Sequence, residues 1–293
     1  MRKVAEAISY GAVTVVNAMA TGKGAALGVR LWTRAKVTLT TQPGEFRGRN
    51  LTDRDEDTGL LETTARHVFR KFKADKTFGA LVETTSNIPV AVGLKSSSAA
   101  SNAVAIASLR VLGRKVSDIQ TVKLGVEASF GAGVTLTGAY DDACACYFGG
   151  LVVTDNTHRR ILKRFKPKGR FHVLIHVPNH KKYTSEVDRD SLRKFRLFVQ
   201  VAHNEALKGN YWNSMTLNGL IYCKAFAYHT KPIRLALQEG AIASGLTGKG
   251  PAVAAIVPKT RVENVLSAWS SLPGRIIETS FNFQKARPLA VAS

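Results

Sequence analysis

A glycine followed closely by three serines is the part of the sequence whose residue types point most directly to chemistry. Gly93 has no Cβ, so it tolerates a positive φ and lets backbone N–H groups approach a ligand. Ser96, Ser97 and Ser98 then open an apolar helix, where unpaired N–H groups and the positive end of the helix dipole favour an anion. Their hydroxyls add donors for phosphate and a ligand for Mg²⁺. The segment predicts a phosphate-binding turn, and an ordinary serine cap of a helix is the alternative.

Two more glycine-rich turns occur at residues 244–251 and 20–25. Glycine together with Ser, Thr and Lys suits a backbone that packs against a ligand or against another loop. Neither turn has the Walker A spacing of the P-loop nucleotide-binding proteins, because Ala243 and Asn17 stand where the first glycine is required. The P-loop proteins are therefore excluded.

Two adjacent carboxylates, Asp141 and Asp142, lie in an otherwise apolar stretch. Burying such groups is costly unless they have partners, so we interpret the pair as functional. A helix N-cap would account for one of the two but not for both.

The histidines and cysteines carry little signal. His172 and His176 share a strand face, but at ~3.3 Å per residue they would lie about 13 Å apart, too far to share a metal ion. The three cysteines, Cys144, Cys146 and Cys223, are too few for a disulfide framework and are expected to be reduced and buried. Because the first residues also lack the apolar core of a secretory signal, we expect a cytoplasmic protein.

The composition is that of a globular protein with one large or two modest domains. The chain has 293 residues, of which 45% are hydrophobic, and no stretch long and apolar enough for a membrane span. Lys and Arg number 42 against 21 Asp and Glu, a net charge of +21. The basic residues are scattered and do not alternate with aromatic residues, so we predict a solvated basic surface with no obligate nucleic-acid partner.

Hydrophobic periodicity predicts the elements that must position these residues. In chain order they are extended segments within 11–41, a loop over 44–58, a helix over 59–72, a strand over 80–85, a helix from the serines to 112, a helix from the Ser117 and Gln120 capping box to 129, a strand over 144–154, a strand over 171–177, helices over 189–208, 214–228 and 232–240, a strand over 251–257, a helix over 262–269 and a strand over 275–279. The order is not a strict alternation of strands and helices, so the prediction is an α+β protein of two domains, with a boundary at Pro167 that gives 1–167 and 168–293.

Taken together, these motifs resemble those of the GHMP kinase superfamily, and within it those of the archaeal-type shikimate kinases. The segments that carry the resemblance are 11–26, 89–99, 137–143 ahead of Phe148-Gly149-Gly150, and 244–251. The resemblance implies a ribosomal-protein-like N-terminal domain and a ferredoxin-like C-terminal domain, with ATP and substrate between them. It also implies transfer of the ATP γ-phosphoryl group to the 3-hydroxyl of shikimate, a step towards chorismate and the aromatic amino acids.

The resemblance also implies roles for individual residues. ATP would be bound by Pro89, Val90, Ala91, Val92, Gly93, Leu94, Lys95, Ser96, Ser97, Ser98 and Ala99, and by Gly245, Thr247, Gly248 and Gly250. Ser97 would be a ligand of Mg²⁺, with Glu127 as a second candidate. Asp142 would accept the proton of the substrate hydroxyl or orient that hydroxyl, with Asp141 as the near alternative. Lys23 would stabilise the transferring phosphoryl group or Asp142.

Two lysines depart from the superfamily pattern. Lys95 replaces a residue that is commonly small, as it does in the shikimate branch, and would pair with phosphate or with the shikimate carboxylate. Lys249 stands at another position that is more often small, and its role is open.

Two alternatives stay open at this stage. The first is a GHMP kinase for another small alcohol, such as homoserine or mevalonate. The second is a basic RNA-binding protein, against which the acidic pair counts because carboxylates repel nucleic acid. A homodimer is the predicted assembly.

Overall fold

The structure, a computed structural model, describes residues 3–133, 135, 138–179 and 192–290. Within them the strands form two sheets, one of seven strands and one of four, and helices pack on both. The predicted α+β class is therefore confirmed. No described helix is both long and apolar enough to cross a membrane.

The seven-stranded sheet is built around one long strand. Its members are β1 (Val4–Val16), β2 (Lys23–Thr40), β3 (Phe46–Asn50), β4 (Gly79–Ser86), β5 (Leu151–Asp155), β6 (Arg160–Phe165) and β11 (Arg287–Leu289). β2 pairs with β1 along one side, and on its other side it pairs first with β5 and then with β4. The sheet therefore divides in the middle of β2, between Leu27 and Thr33, and the end of β1 and the start of β2 lie on the part that continues through β5.

Four helices pack on this sheet: α1 (Gly59–Lys71), α2 (Ser96–Val111), α3 (Asp118–Gly131) and α4 (Tyr140–Phe148). α2 is rich in Ala and Ser and is almost wholly buried, because small side chains let it approach β1 and β2 closely. That packing fixes its N-terminus, which carries the three serines. The predicted capping box is confirmed, since the Ser117 side chain accepts from the Gln120 N–H and the Gln120 side chain accepts from the Ser117 N–H.

The four-stranded sheet is antiparallel, in the order β10 (Arg275–Ser280), β7 (Phe171–Val177), β9 (Val253–Pro258) and β8 (Ala243–Leu246). The helices α6 (Tyr211–Ala225), α7 (Lys231–Gln238) and, after a 3₁₀ turn at Lys259–Arg261, α8 (Val262–Ser270) pack on it. The preceding helix, α5 (Arg196–Lys208), lies against α6 and against β1, β2 and β5 of the first sheet. The predicted boundary at 167/168 falls between β6 and β7. The division into two contiguous domains stays a prediction. It assigns β11 to the second domain, although β11 pairs with β1 of the first sheet.

Several predicted elements were wrong. The predicted strand over 144–154 is instead the end of α4 followed by β5, because a continuously apolar, fully buried run shows no period that separates helix from strand. The predicted loop over 44–58 contains β3, a charged strand at the sheet edge, where polar side chains are tolerated. The short strands β8 and β11 were missed. The predicted helix over 189–208 begins outside the described residues, and Thr137, the first residue of the segment 137–143, also lies outside them.

Candidate active site

The N-terminus of α2 opens into a cavity of about 150 Å³ between the two sheets. Its walls come from the end of β1, the turn before α2, the start of α4 and the loop between β8 and β9. The lining residues include Thr14, Asn17, Met19, Ala91, Gly93, Lys95, Ser96, Ser97, Ser98, Asp141, Asp142, Gly248 and Lys249. The structure thus brings the predicted phosphate turn and the predicted acid pair to one place.

The three serines form the first turn of α2, directly on the cavity. Lys95 precedes them as the N-cap residue, with a left-handed backbone (φ 67, ψ 31) and no side-chain hydrogen bond to the helix. Ser97 is exposed, whereas Leu94 and Ala99 are buried in the core and anchor the turn on either side. An uncapped helix N-terminus with serine hydroxyls is a site for phosphate oxygens.

The loop between β8 and β9 holds the phosphate turn in place from the other sheet. Gly93 has a φ of 93, and a Cβ there would overlap the Thr247 carbonyl oxygen. The buried Thr247 hydroxyl donates to the Gly93 carbonyl at 2.9 Å and accepts from the Thr14 N–H at 3.0 Å. The Gly248 N–H donates to Thr14 Oγ1 at 2.8 Å. The Thr247 hydroxyl therefore links its own loop to the phosphate turn at Gly93 and to β1 at Thr14.

Asp142 forms a nearly buried ion pair. Its Oδ1 lies 3.1 Å from Lys95 Nζ, and the two side chains are 17% and 6% exposed. The same ammonium donates to Thr14 Oγ1 at 2.6 Å. The carboxylate therefore lies beside the phosphate turn with a cation between the two.

Asp141 is buried in a network of neutral groups. Its Oδ1 accepts from Asn156 Nδ2 at 2.7 Å, and Asn156 Oδ1 accepts from the Thr154 hydroxyl at 2.7 Å. Gly24 packs against the carboxyl group so closely that a Cβ would overlap it. Burial first, and then the charge of Asp142, raise the pKa of Asp141 above the ordinary aspartate value, although Lys95 opposes the shift. Asp141 therefore binds its proton more tightly than a solvated aspartate does.

Other predicted residues lie elsewhere. Lys23 begins β2 opposite Asp155 and does not line the cavity, so the cation beside Asp142 is Lys95. Glu127 also lies away from the cavity lining and pairs with Arg159 at 2.8 Å and with His67 at 3.1 Å. Its role as a metal ligand stays a prediction that the geometry does not support.

Only part of the glycine-rich turn at residues 244–251 lines the cavity. Gly248 lines it, as does Lys249. Gly245 packs on the backbone of α6 at Met215, and Gly250 packs on Tyr228 and Leu246. In the structure these two glycines and Thr247 contact protein, so their binding of nucleotide stays a prediction and their visible role is to shape the loop.

A second cavity, of about 510 Å³, lies on the other side of the phosphate turn. Pro89, Val90 and Val92 line it together with Thr52, Asp53, Ser86, Asn87, Ile88 and Arg275. Residues 89–98 thus line both cavities: Pro89, Val90 and Val92 line the larger one, and Ala91, Gly93 and residues 95–98 line the smaller one.

Sequence reasoning missed three residues of the site. Thr14 and Asn17 interrupt and end the apolar run of β1, and a polar residue in a buried strand is the signal that could have found them. Asn156 follows directly after β5, and its contact with Asp141 depends on the fold. Asn17 Nδ2 donates to the Gly248 carbonyl at 2.7 Å, so it also ties β1 to the opposite loop.

The donors on the cavity suit a hard divalent cation that brings its own phosphate ligands. They are serine hydroxyls, Ser97 among them, and the carboxylate of Asp142. Among the described residues no group of three His, Cys, Asp or Glu could hold a metal without a substrate. Mg²⁺ is bound in kinases through few protein oxygens together with phosphates, so this donor set fits it.

Comparison with known proteins agrees with this geometry. Residues 59–150 match the family model for the GHMP kinases N terminal domain, and residues 231–274 match the GHMP kinases C terminal model. The chain is 43% identical to the shikimate kinase of Methanothrix thermoacetophila (96% of this chain, 95% of the relative) and 44% identical to that of Pyrococcus furiosus (92% and 96%).

Solved structures share the fold at low identity. A homoserine kinase from Cytophaga hutchinsonii superposes with a TM-score of 0.74 at 15% identity (99% of this chain, 98% of that one), and the L. major mevalonate kinase does so with 0.75 at 13% (97% and 98%). At such identities the likeness concerns the fold alone. The near-full-length identity to the curated relatives goes further: the chain belongs to the GHMP kinase family, in the branch of the archaeal shikimate kinases.

Proposed function

We propose that this protein transfers the γ-phosphoryl group of ATP to the 3-hydroxyl of shikimate, which yields shikimate 3-phosphate and ADP. One observation carries the proposal: an uncapped, serine-rich helix N-terminus and the Asp141–Asp142 pair line the same cavity. Both suit a kinase for a small alcohol, since the helix N-terminus can bind phosphate and Asp142 of the pair faces the cavity, where the acceptor hydroxyl would lie. The choice of shikimate is supported by the curated relatives, which are shikimate kinases.

ATP would bind along the phosphate turn. The β- and γ-phosphates would lie at Ser96, Ser97 and Ser98, which line the cavity at the N-terminus of α2. The nucleoside would occupy the larger cavity next to Pro89 and Val90, because the turn lines both spaces. Ser97 and an adjacent carboxylate would hold Mg²⁺, which when bound supplies charge neutralisation of the phosphates.

The acceptor hydroxyl would lie between the phosphates and Asp142. As its oxygen forms a bond to the γ-phosphorus, the bond from that phosphorus to the bridging oxygen breaks and ADP leaves with the electron pair. Asp142 accepts the hydroxyl proton or orients the hydroxyl for attack. Phosphoryl transfer depends chiefly on positioning and charge neutralisation, so a carboxylate held by Lys95 is sufficient.

The proposal also covers the compartment and the partners of the enzyme. The described cysteines are all free and buried, which supports a reducing compartment such as the cytoplasm. A homodimer, and the absence of an obligate nucleic-acid partner, stay predictions.

The test is ADP release with Mg²⁺-ATP and a panel of acceptors: shikimate, homoserine, mevalonate and galactose. We expect turnover with shikimate and none with the other three. Turnover with homoserine or mevalonate in place of shikimate would refute the substrate while leaving the kinase chemistry intact. No turnover with any acceptor, combined with tight, salt-dependent RNA binding, would refute the kinase and favour an RNA-binding protein.

A further inference from the structure

Lys95 occupies a backbone position that favours glycine. Its φ of 67 and ψ of 31 are left-handed, a conformation that is unfavourable for residues with a Cβ. It is the N-cap residue of α2, where Ser, Thr, Asp and Asn are preferred, and its side chain makes no hydrogen bond to the helix. Neither the turn nor the helix therefore accounts for a lysine at this position.

The ammonium group is also in unfavourable surroundings. The side chain is 6% exposed, so it has lost most of its hydration and its rotamer freedom. Its described partners are Thr14 Oγ1 at 2.6 Å and Asp142 Oδ1 at 3.1 Å. That carboxylate oxygen is buried and accepts no hydrogen bond from the described residues, so the ion pair is its compensation.

The contacts of Lys95 fix the ammonium from several sides. Thr14 Oγ1 accepts from the Gly248 N–H as well, so the hydroxyl that holds the ammonium is itself held by the opposite loop. Gly248 approaches so closely that a Cβ on it would lie 3.2 Å from Lys95 Nζ. The ammonium therefore has a defined place between the phosphate turn and Asp142.

We propose that Lys95 is a positioning residue for the transfer step: its ammonium holds the Asp142 carboxylate at a fixed position relative to the phosphate turn. The inference rests on the proposed function, because it assigns the lysine to the reaction of that same site. Lys95 acts through Asp142, and its removal affects turnover more than nucleotide binding. This separates it from the serines, which would contact phosphate, and from Lys23, which does not line the cavity.

The first test separates activity from stability. Lys95→Gly removes the ammonium and relieves the left-handed backbone, but it also leaves the nearly buried Asp142 carboxylate without its partner. We therefore expect a lower unfolding midpoint, and kcat is measured at a temperature below that midpoint, where the variant is folded. We expect kcat to fall by about 10²-fold, a typical contribution of a positioned acid–base group, with the Kd for ATP within about threefold. Lys36→Met is the matched control, because Lys36 pairs with Glu83 at 3.8 Å on the sheet face and lies outside the cavity lining.

The second test asks whether Lys95 acts through Asp142. Lys95→Met and Asp142→Asn are measured alone and combined. If the lysine works by holding this carboxylate, the double variant is about as slow as Asp142→Asn alone, because groups that act as a unit are not additive. Partial recovery of kcat in Lys95→Arg, which keeps the positive charge, is the expected companion result.

Three results would overturn the inference. They are near-normal turnover of Lys95→Gly, losses that multiply in the double variant, and a raised Kd for ATP with kcat unchanged, which would make Lys95 a phosphate ligand. The cycle is run with whichever acceptor of the panel the wild type phosphorylates. Failure on shikimate therefore refutes the proposed substrate, while the cycle still decides the role of the lysine.

Discussion

The two carboxyl groups of the site lie in different surroundings although they are neighbours in the chain. Asp142 faces the cavity and pairs with Lys95, whereas Asp141 points into the protein towards Asn156. Sequence reasoning singled out the pair and predicted that it is functional, from the cost of burying two acids. The division of roles depends on Asn156 and Lys95, which no spacing within residues 141–142 reveals.

The first prediction concerns Asp142. Asp142→Asn keeps the shape of the side chain but removes its charge and its ability to take a proton, so kcat should fall by about 10²- to 10⁴-fold. The Kd for ATP, measured by titration calorimetry, should change little. Asp118→Asn, which removes a surface pair with Lys285 at 2.8 Å, is the control. An unimpaired kcat would point to Asp141 or to a mechanism without a base.

The second prediction concerns the pH dependence of stability. Burial raises the pKa of Asp141, so the folded protein binds this proton more tightly than the unfolded chain. Its contribution to stability is present at low pH and is lost as the pH rises from the ordinary aspartate pKa of about 4 through the raised value. Asp141→Asn has no such proton to lose.

We therefore expect Asp141→Asn to gain stability relative to the wild type as the pH rises. Urea unfolding between about pH 5 and about pH 8 measures the difference. Asp55→Asn, at an exposed position, should show no comparable trend. A constant difference between the Asp141 variant and the wild type across this range would contradict the prediction.

At the scale of elements, the phosphate turn is held by another turn rather than by its own helix. Gly93→Ala would place a Cβ against the Thr247 carbonyl oxygen in addition to straining a φ of 93. We expect a loss of about 2 kcal/mol or more in the free energy of unfolding, and weaker ATP binding because the turn must move.

Gly113→Ala is the matched control for that variant. Gly113 also has a positive φ, of 66, but its Cβ would meet nothing within 4 Å, so it should lose only about 1 kcal/mol through backbone strain and leave ATP binding unchanged. Chemical unfolding and nucleotide titration of both variants decide the matter. Equal losses in the two variants would mean that the contact with Thr247 is unimportant.

The elements also show how far periodicity reaches. Helix α1 and strand β7 were predicted because each has one apolar face or one buried run with clear ends. Helix α4 was missed because eight of its nine residues are buried, so no polar face marks its period. Strand β11 was missed because its pairing with β1 depends on a contact between distant parts of the chain.

At the scale of the whole molecule, the two sheets are joined by buried polar contacts. Asn17 N donates to Asn218 Oδ1 at 2.9 Å, and Ala252 N donates to the Val92 carbonyl at 3.2 Å. Together with Thr247, these contacts make the active cavity part of the connection between the sheets. The two sheets should therefore unfold as one cooperative unit.

This prediction can be tested with tryptophan as the probe. Trp32 lies in the first sheet and Trp269 is buried against the second. Variants that keep only one of the two, with the other tryptophans changed to Phe, should give superimposable urea transitions. Two separate midpoints, with neither variant impaired in activity, would show that the sheets are independent.

The strand β11 has a consequence for synthesis of the chain. The first sheet receives its edge partner for β1 only at Arg287–Leu289, and the cavity receives Gly248 only after four-fifths of the chain has been made. A nascent chain that stops after β6 therefore lacks both the sheet edge and the loop that holds the phosphate turn. We therefore expect the chain to bind nucleotide only late in translation. Fragments released early from the ribosome would then not compete with the finished enzyme for ATP.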